Sequence, residues 1–239
     1  MSERLNVLII AHRGASLAET ENTRAAFEAA AEVGADAVET DLRGCRFCGR
    51  LALSHDAIKK KEQCENTLAF EDFLQIKIQG AYLPLSDTEM FLGEKLDLYL
   101  EIKESWLIKK VLDMTRELRF RDHIIFSSFK WLELFKFRRR NKRLRIGLLW
   151  DQNKIKIPRW FVAFCAKYLG AKSVHLQFEG LSLEDVMYFR TRGFSVYAFT
   201  VNKFEDIYLA WQWDLDGIFT DAPAYAREVL SQLSLAVIQ

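Results

Sequence analysis

The sequence predicts an α/β chain folded as a closed (β/α)8 barrel in a single domain spanning residues 1–239. Three observations lead there. Short apolar runs alternate with longer amphipathic segments, which is the signature of parallel strands joined by crossover helices. About eight such units can be counted, with no linker or composition break between them. The length of 239 residues, half of them hydrophobic, suits one barrel and one sizeable core. A doubly wound open sheet is the alternative.

The strand-like runs, in order, are Asn6–Ala11, Ala37–Leu42, Leu51–Ser54, Leu96–Ile102, His123–Ser127, Leu144–Leu149, Ser173–Gln177, Phe194–Thr200 and Asp216–Thr220. Helical patterns fall over Thr23–Val33, Leu68–Lys77, Trp106–Leu118, Trp131–Arg140, Arg159–Leu169, Leu183–Arg192, Phe204–Trp213 and Ala222–Ser231. Leu51–Ser54 follows Ala37–Leu42 without a helix between them. The pair reads as one strand extended into an excursion at its top, with Gly44 and Gly49 as turn residues.

Composition narrows the function. A formal net charge of +1 gives no global attraction to nucleic acid or to an anionic membrane. The first apolar run, Val7 to Ala11, is too short for a secretory leader. Trp160 to Cys165 is the richest apolar stretch, far below the ~20 residues that a spanning helix needs. A cytoplasmic protein is expected. Its four cysteines, Cys45, Cys48, Cys64 and Cys165, would then be thiols.

Chemistry concentrates at the ends of the early strands. His12-Arg13-Gly14 follows the first run, and Glu39-Thr40-Asp41 lies in the second. His55-Asp56 follows the third, and Glu101-Ile102-Lys103 closes the fourth. Ionisable groups finish buried strands only where something pairs them, and the C-terminal strand ends of a barrel are where active sites are built. Residues two apart share a strand face, so Glu39 with Asp41, and Glu101 with Lys103, would converge on the axis. Three crowded carboxylates repel one another and would take up protons; a hard divalent cation, Mg2+ or Ca2+, removes the conflict. Carboxylates at −3, the ion at +2, and Arg13 with Lys103 at +2 sum to +1, which suits a phosphodiester carrying −1. His12 and His55, on separate segments, have the side chain best matched to acid/base work near neutral pH.

These residues resemble those of the glycerophosphodiester phosphodiesterases. Ala11-His12-Arg13-Gly14-Ala15-Ser16, Glu21-Asn22-Thr23, Glu39-Thr40-Asp41, His55-Asp56 and Glu101-Ile102-Lys103 match in order and spacing. So do Ser127-Ser128-Phe129, Phe199-Thr200-Val201-Asn202 and Asp216-Gly217-Ile218-Phe219-Thr220-Asp221-Ala222-Pro223. The resemblance implies a TIM barrel that hydrolyses glycerol 3-phosphate esters of alcohols with a divalent ion. It implies Glu39, Asp41 and Glu101 as metal ligands, His12 and His55 as the acid/base pair, and Arg13 and Lys103 as phosphate holders. Asn22 would support the site network, and His175 and Phe199 would line the substrate pocket. Thr20 stands where the family has proline, and Phe199 where it has tryptophan. The Lys-rich strip from Asp56 to Asn66 is short where many members carry a covering excursion, so an open mouth is expected.

Competing readings are release of a head group from a lysophospholipid, with peripheral lipid contact, and a silent barrel that binds a phosphorylated ligand. The complete set of polar residues speaks against the silent barrel. Three features stand apart from the site. Cys45-Arg46-Phe47-Cys48-Gly49 has the form of a zinc knuckle that needs further ligands, Cys64 being a candidate. Six of the eight residues from Arg138 to Arg145 are basic and are expected at a helix C-terminus, on the face away from the mouth. His123 reads as structural, and Trp131, Trp160, Trp211 and Trp213 as packing residues.

Overall fold

The structure, a computed structural model, describes residues 7–79 and 89–238. The elements run β1 (Leu8–His12), α1 (Arg24–Glu32), β2 (Ala37–Gly44), β3 (Leu51–Leu53), α2 (Lys61–Glu65), α3 (Phe70–Phe73), β4 (Lys77–Gln79), β5 (Glu89–Phe91) and α4 (Leu92–Lys95). They continue β6 (Asp97–Ile102), α5 (Ile108–Thr115), β7 (Ile124–Ser128), α6 (Trp131–Arg140), β8 (Arg145–Trp150), α7 (Arg159–Leu169), β9 (Ser173–Gln177), α8 (Leu183–Arg190), β10 (Ser195–Phe199), α9 (Phe204–Gln212), β11 (Gly217–Thr220) and α10 (Pro223–Ile238). Among the described residues, β1, β2, β6, β7, β8, β9, β10 and β11 pair in parallel, and β1 bonds both β11 and β2 to close the ring.

Two apolar layers and one interior plug hold the barrel. Outside the ring, helices bury one stripe each against the strands. One cluster is built on Phe27, Phe70, Phe73, Phe126 and Phe137. The other is built on Val162, Leu169, Val186, Phe189 and Ile207. Inside the ring, Ile10, Ala37, Tyr99, Ile125, Tyr197 and Phe219 pack together, with the His175 ring against Tyr99, Tyr197 and Phe219. Gly147 makes the room: a Cβ there would stand 2.3 Å from His175 Cε1. The strand period of two then dictates what lies above this plug. Two residues beyond Ile10, Ala37, Tyr99, Ile125, Tyr197 and Phe219 stand His12, Glu39, Glu101, Ser127, Phe199 and Asp221.

The excursion differs from its expected form. β3 is not a continuation of β2 but its antiparallel partner, with Leu42 opposite Leu53 and Gly44 opposite Leu51. The hairpin turns the chain back over the mouth. The helix expected over Leu68–Lys77 shrinks to Phe70–Phe73: the amides of Gln75 and Ile76 reach back three residues instead of four, and Lys77–Gln79 pairs with Glu89–Phe91. The short helices Lys61–Glu65 and Leu92–Lys95 and the strand Glu89–Phe91 have no counterpart in the sequence reading; other elements fall within a few residues of expectation, except that α10 runs on to Ile238. Asn6, expected to open the first strand, lies outside the described residues.

Candidate active site at the barrel mouth

Each polar side chain reaches the mouth for a local reason. The turn after β1 puts Arg13 and Gly14 at positive φ, and a Cβ on Gly14 would meet the Ala26 backbone carbon at 2.6 Å; only glycine lets α1 pack that close. Glu39 and Asp41 point inward from β2, Glu101 and Lys103 from β6, with Asp41 beside Glu101 in the register. β3 delivers His55, whose carbonyl accepts two N–H bonds from Arg43 at 2.9 and 2.6 Å. Arg43 is itself anchored on Glu104 at 2.6 Å.

Carboxylate oxygens of Glu39, Asp41 and Glu101 lie within 4.8 Å of one another, all buried. Lys103 Nζ bridges Asp41 and Glu101 at 2.8 Å each. Arg13 Nε sits 3.0 Å from Asp41 and its Nη1 2.6 Å from Glu21, while its backbone N–H donates to Glu39 at 3.2 Å. Asn22 accepts a bond from the Thr40 hydroxyl at 2.6 Å and directs its amide at Asp41, 3.5 Å away.

The electrostatics show the strain of this crowding. Burial and the neighbouring Asp41 charge push Glu39 up to about 8. Burial also raises Glu101, only partly offset by Lys103. Asp41 is lowered: burial opposes its ionisation, but Lys103 and Arg13 outweigh it. Two acids driven toward protonation beside a third held ionised form a donor set that a divalent cation would satisfy. Their all-oxygen chemistry matches a hard ion.

His12 has a partner the sequence reading did not assign. Its Nδ1 donates to Asp221 at 2.7 Å, leaving Nε2 toward Glu39 at 3.9 Å. Burial pulls the imidazole down, yet the Asp221 bond and the Glu39 charge leave it raised. Burial likewise opposes the Asp221 charge, but the His12, Asn202 and Ser16 hydrogen bonds win and bring Asp221 to about 2. Asn202 donates to Asp221 at 2.6 Å and accepts from the Asp221 amide at 2.9 Å. Both residues stand inside segments that match the family, Asn202 after β10 and Asp221 after β11. Their position just past two barrel strands was the available signal.

His12, Arg13, Glu39, His55, Glu101 and Lys103 line one cavity of about 180 Å3, with Phe129, Leu149, Asp151, Gln177, Phe199 and Phe219 among the rest of its wall and His175 also lining it. His55 is exposed, its Nδ1 3.0 Å from Asp56. Phe199 forms part of the wall, edge-on to Phe129. Asp41 and Asn22 lie buried beneath. His175 is at the floor, fully buried, bonded through Nε2 to Ser173 at 2.9 Å, and burial brings it down to about 3. It is a neutral ring in the barrel plug.

The glycerophosphoryl diester phosphodiesterase family model matches residues 12–67 and 52–225, nearly the whole described barrel. The chain belongs to that family. A glycerophosphodiester phosphodiesterase from Caldanaerobacter subterraneus subsp. tengcongensis is 29% identical over 92% of this chain and 96% of its own length. Among solved structures, the glycerophosphodiester phosphodiesterase of Thermotoga maritima superposes with a TM-score of 0.70 at 23% identity, covering 95% of this chain and all of that one. An Oleispira antarctica phosphodiesterase in complex with the product sn-glycerol-3-phosphate gives 0.70 at 20% identity, covering 94% and 96%. The two structural likenesses show the shared barrel fold.

Proposed function

We propose that this chain hydrolyses glycerophosphodiesters to glycerol 3-phosphate and an alcohol, using Mg2+ or Ca2+ held by Glu39, Asp41 and Glu101. The observation that carries the reading is that two histidines from separate segments line the same small cavity as Glu39 and Glu101, two members of the buried carboxylate trio. The product complex of the Oleispira antarctica relative supports the substrate class. When bound, the ion would supply positive charge that offsets most of the trio's charge and draws electron density from the phosphoryl oxygens.

The residues of the chain do the rest. Arg13 and Lys103, paired with trio carboxylates, bring the mouth to a net +1 with the ion and hold the phosphodiester. Asp221 fixes the His12 tautomer, so that Nε2 faces the reacting group. His12 and His55 then divide the proton traffic. One takes a proton from the attacking water as its oxygen bonds to phosphorus; the other gives a proton to the leaving alkoxide as the ester bond breaks. Phe129, Phe199 and Leu149 shield this exchange from bulk water on one side.

The test is release of glycerol 3-phosphate from a panel of glycerophosphodiesters, with and without chelator. Turnover that vanishes in chelator and returns with Mg2+ or Ca2+ is expected. Full turnover in metal-free buffer, or none from any diester, overturns the reading.

A second substrate is favoured by one observation. α7 exposes Trp160 (61%), Phe161 (40%), Phe164 (61%) and Tyr168 (73%) along one face, so Trp160 is not the packing residue the sequence suggested. Such a row can rest on the acyl region of a lipid surface, which fits head-group release from a lysophospholipid. Comparing glycerophosphocholine with lysophosphatidylcholine separates the two: faster turnover of the lysolipid, lost on Trp160→Ser with Phe164→Ser, identifies the lipid substrate.

A further inference from the structure

A second cluster of metal-ligand type lies outside the mouth. Cys45, Cys48 and Cys64 place their sulfurs within 4.8 Å of one another, with Cys48 Sγ 3.0 Å from Cys64 Sγ. Cys45 and Cys48 sit in the turn of the β2–β3 hairpin, and Cys64 comes from α2. Cys45 and Cys64 are shielded from solvent and Cys48 is exposed. We propose that these three thiols form a zinc site that clips α2 onto the β2–β3 hairpin and so braces the loop carrying His55.

Three features argue for it. The donors are soft sulfurs, which select zinc over the hard ion of the mouth. The turn has knuckle geometry: the Gly49 amide donates to the Cys45 carbonyl at 2.8 Å, the Cys45 amide to the Arg50 carbonyl at 2.8 Å, and Gly49 takes φ +70°. The spacing fits, because zinc with sulfurs at ~2.3 Å separates them by about 3.8 Å in a tetrahedron. That value lies between the 3.0 Å of Cys48–Cys64 and the 4.8 Å limit of the cluster.

Zn2+ binding displaces the three thiol protons to solvent and leaves the Zn–S3 unit at −1. Among the described residues no fourth His, Cys, Asp or Glu joins the cluster, so water on the exposed Cys48 side takes the remaining position. Lys110, whose ammonium holds the Gly49 carbonyl at 2.7 Å, supplies nearby positive charge. The span closed is the 16 residues from Cys48 to Cys64, and His55 lies within it. A flexible loop of this length gains order when its ends are tied.

The experiment uses the whole chain, purified under reducing conditions from zinc-supplemented medium. Elemental analysis should find one zinc per chain, and Co2+ in its place should show thiolate-to-cobalt charge-transfer absorption. Cys48→Ser, at the exposed position, should lose the bound zinc while keeping its circular dichroism. Cys165→Ser, on α7, should keep it. Hydrogen exchange across residues 50–66 should slow when Zn2+ is restored to the metal-free protein. No zinc in the purified chain together with no Zn2+ uptake on titration of the reduced protein overturns the site, as does a Cys48–Cys64 disulfide in its place. Zinc bound without slowed exchange overturns the brace. Retained Mg2+- or Ca2+-dependent turnover in Cys48→Ser separates this site from the one at the mouth.

Discussion

The two ends of this barrel carry charge in opposite ways. Below the strands, Lys109, Arg116, Arg121, Arg140, Arg143 and Arg145 surround a cleft of about 640 Å3, larger than the 180 Å3 cavity at the mouth. Its charges are solvated: Arg145, one of its lining residues, is exposed and pairs at 2.8 Å with Asp97, which also holds the exposed His123 at 2.8 Å. At the mouth the acids are buried, within reach of one another, and served by cations that each answer to two carboxylates. Cavity size therefore does not locate the chemistry. Buried charges that cannot all be satisfied by the chain do, because their unrelieved cost is what an ion or substrate removes.

The comparison can be broken most decisively through the trio. Asp41→Ala or Glu101→Ala should abolish divalent-ion binding and drop turnover to background with the barrel still folded, as read by calorimetric titration and circular dichroism. The pH dependence has a definite sign. Glu39 holds its proton up to about 8, above its ordinary 4.5, and an ion must displace that proton. Affinity for Mg2+ or Ca2+ should climb between these values and level off above them. The native state binds this proton more tightly than the unfolded chain does. Metal-free stability should therefore fall over the same rise in pH, and saturating ion should flatten the fall. Affinity independent of pH would mean that Glu39 is no ligand.

Next come the histidines. His12→Ala and His55→Ala should each cost about 10² to 10⁴ in rate. The residue acting as acid should matter far less for a p-nitrophenyl ester than for a choline ester, whereas loss of the base should hurt both alike. Activity against pH should be bell-shaped, with limbs that belong to the pair. Both variants remaining active on every diester would remove the two-histidine scheme.

Asp221→Asn should cost roughly 10- to 100-fold, in line with loss of an orienting partner. Because the Asp221 bond raises His12, the limb of the pH profile belonging to His12 should move to lower pH. A rate loss with an unmoved profile would make Asp221 merely structural.

Arg13→Lys should cost about tenfold, ~1.4 kcal/mol in the barrier, since an ammonium cannot fork onto two phosphate oxygens. At the other end of the barrel, Arg143→Ala should leave turnover and stability within about 0.5 kcal/mol. An effect as large as that of Arg13→Lys would erase the distinction between the two ends.

Much of this was legible in sequence. The strand over Ser173–Gln177 and the helices over Trp131–Arg140 and Arg159–Leu169 match residue for residue, because apolar periodicity and packing agree there. Leu68–Lys77 misled because Phe70, Phe73 and Leu74 have helical spacing, while the backbone of residues 76–79 is claimed by tertiary pairing with residues 89–92. β3 escaped because a short apolar run states nothing about strand direction. At the site, groups two apart on one strand could be placed on a common face, so Glu39, Asp41, Glu101 and Lys103 converge as expected. Asp221 could not be tied to His12, since no local pattern links residues on the first and last strands of a ring.

That last link bears on the order in which the molecule becomes competent. His12 is synthesised well before Asp221, which follows it by 209 positions. The seam of β1 with β11 needs β11, the last strand of the ring in chain order. A nascent or truncated chain that already carries the acidic trio still lacks the carboxylate that sets its first histidine. Such a chain could collect metal before it could turn over substrate, and activity would report closure of the ring itself.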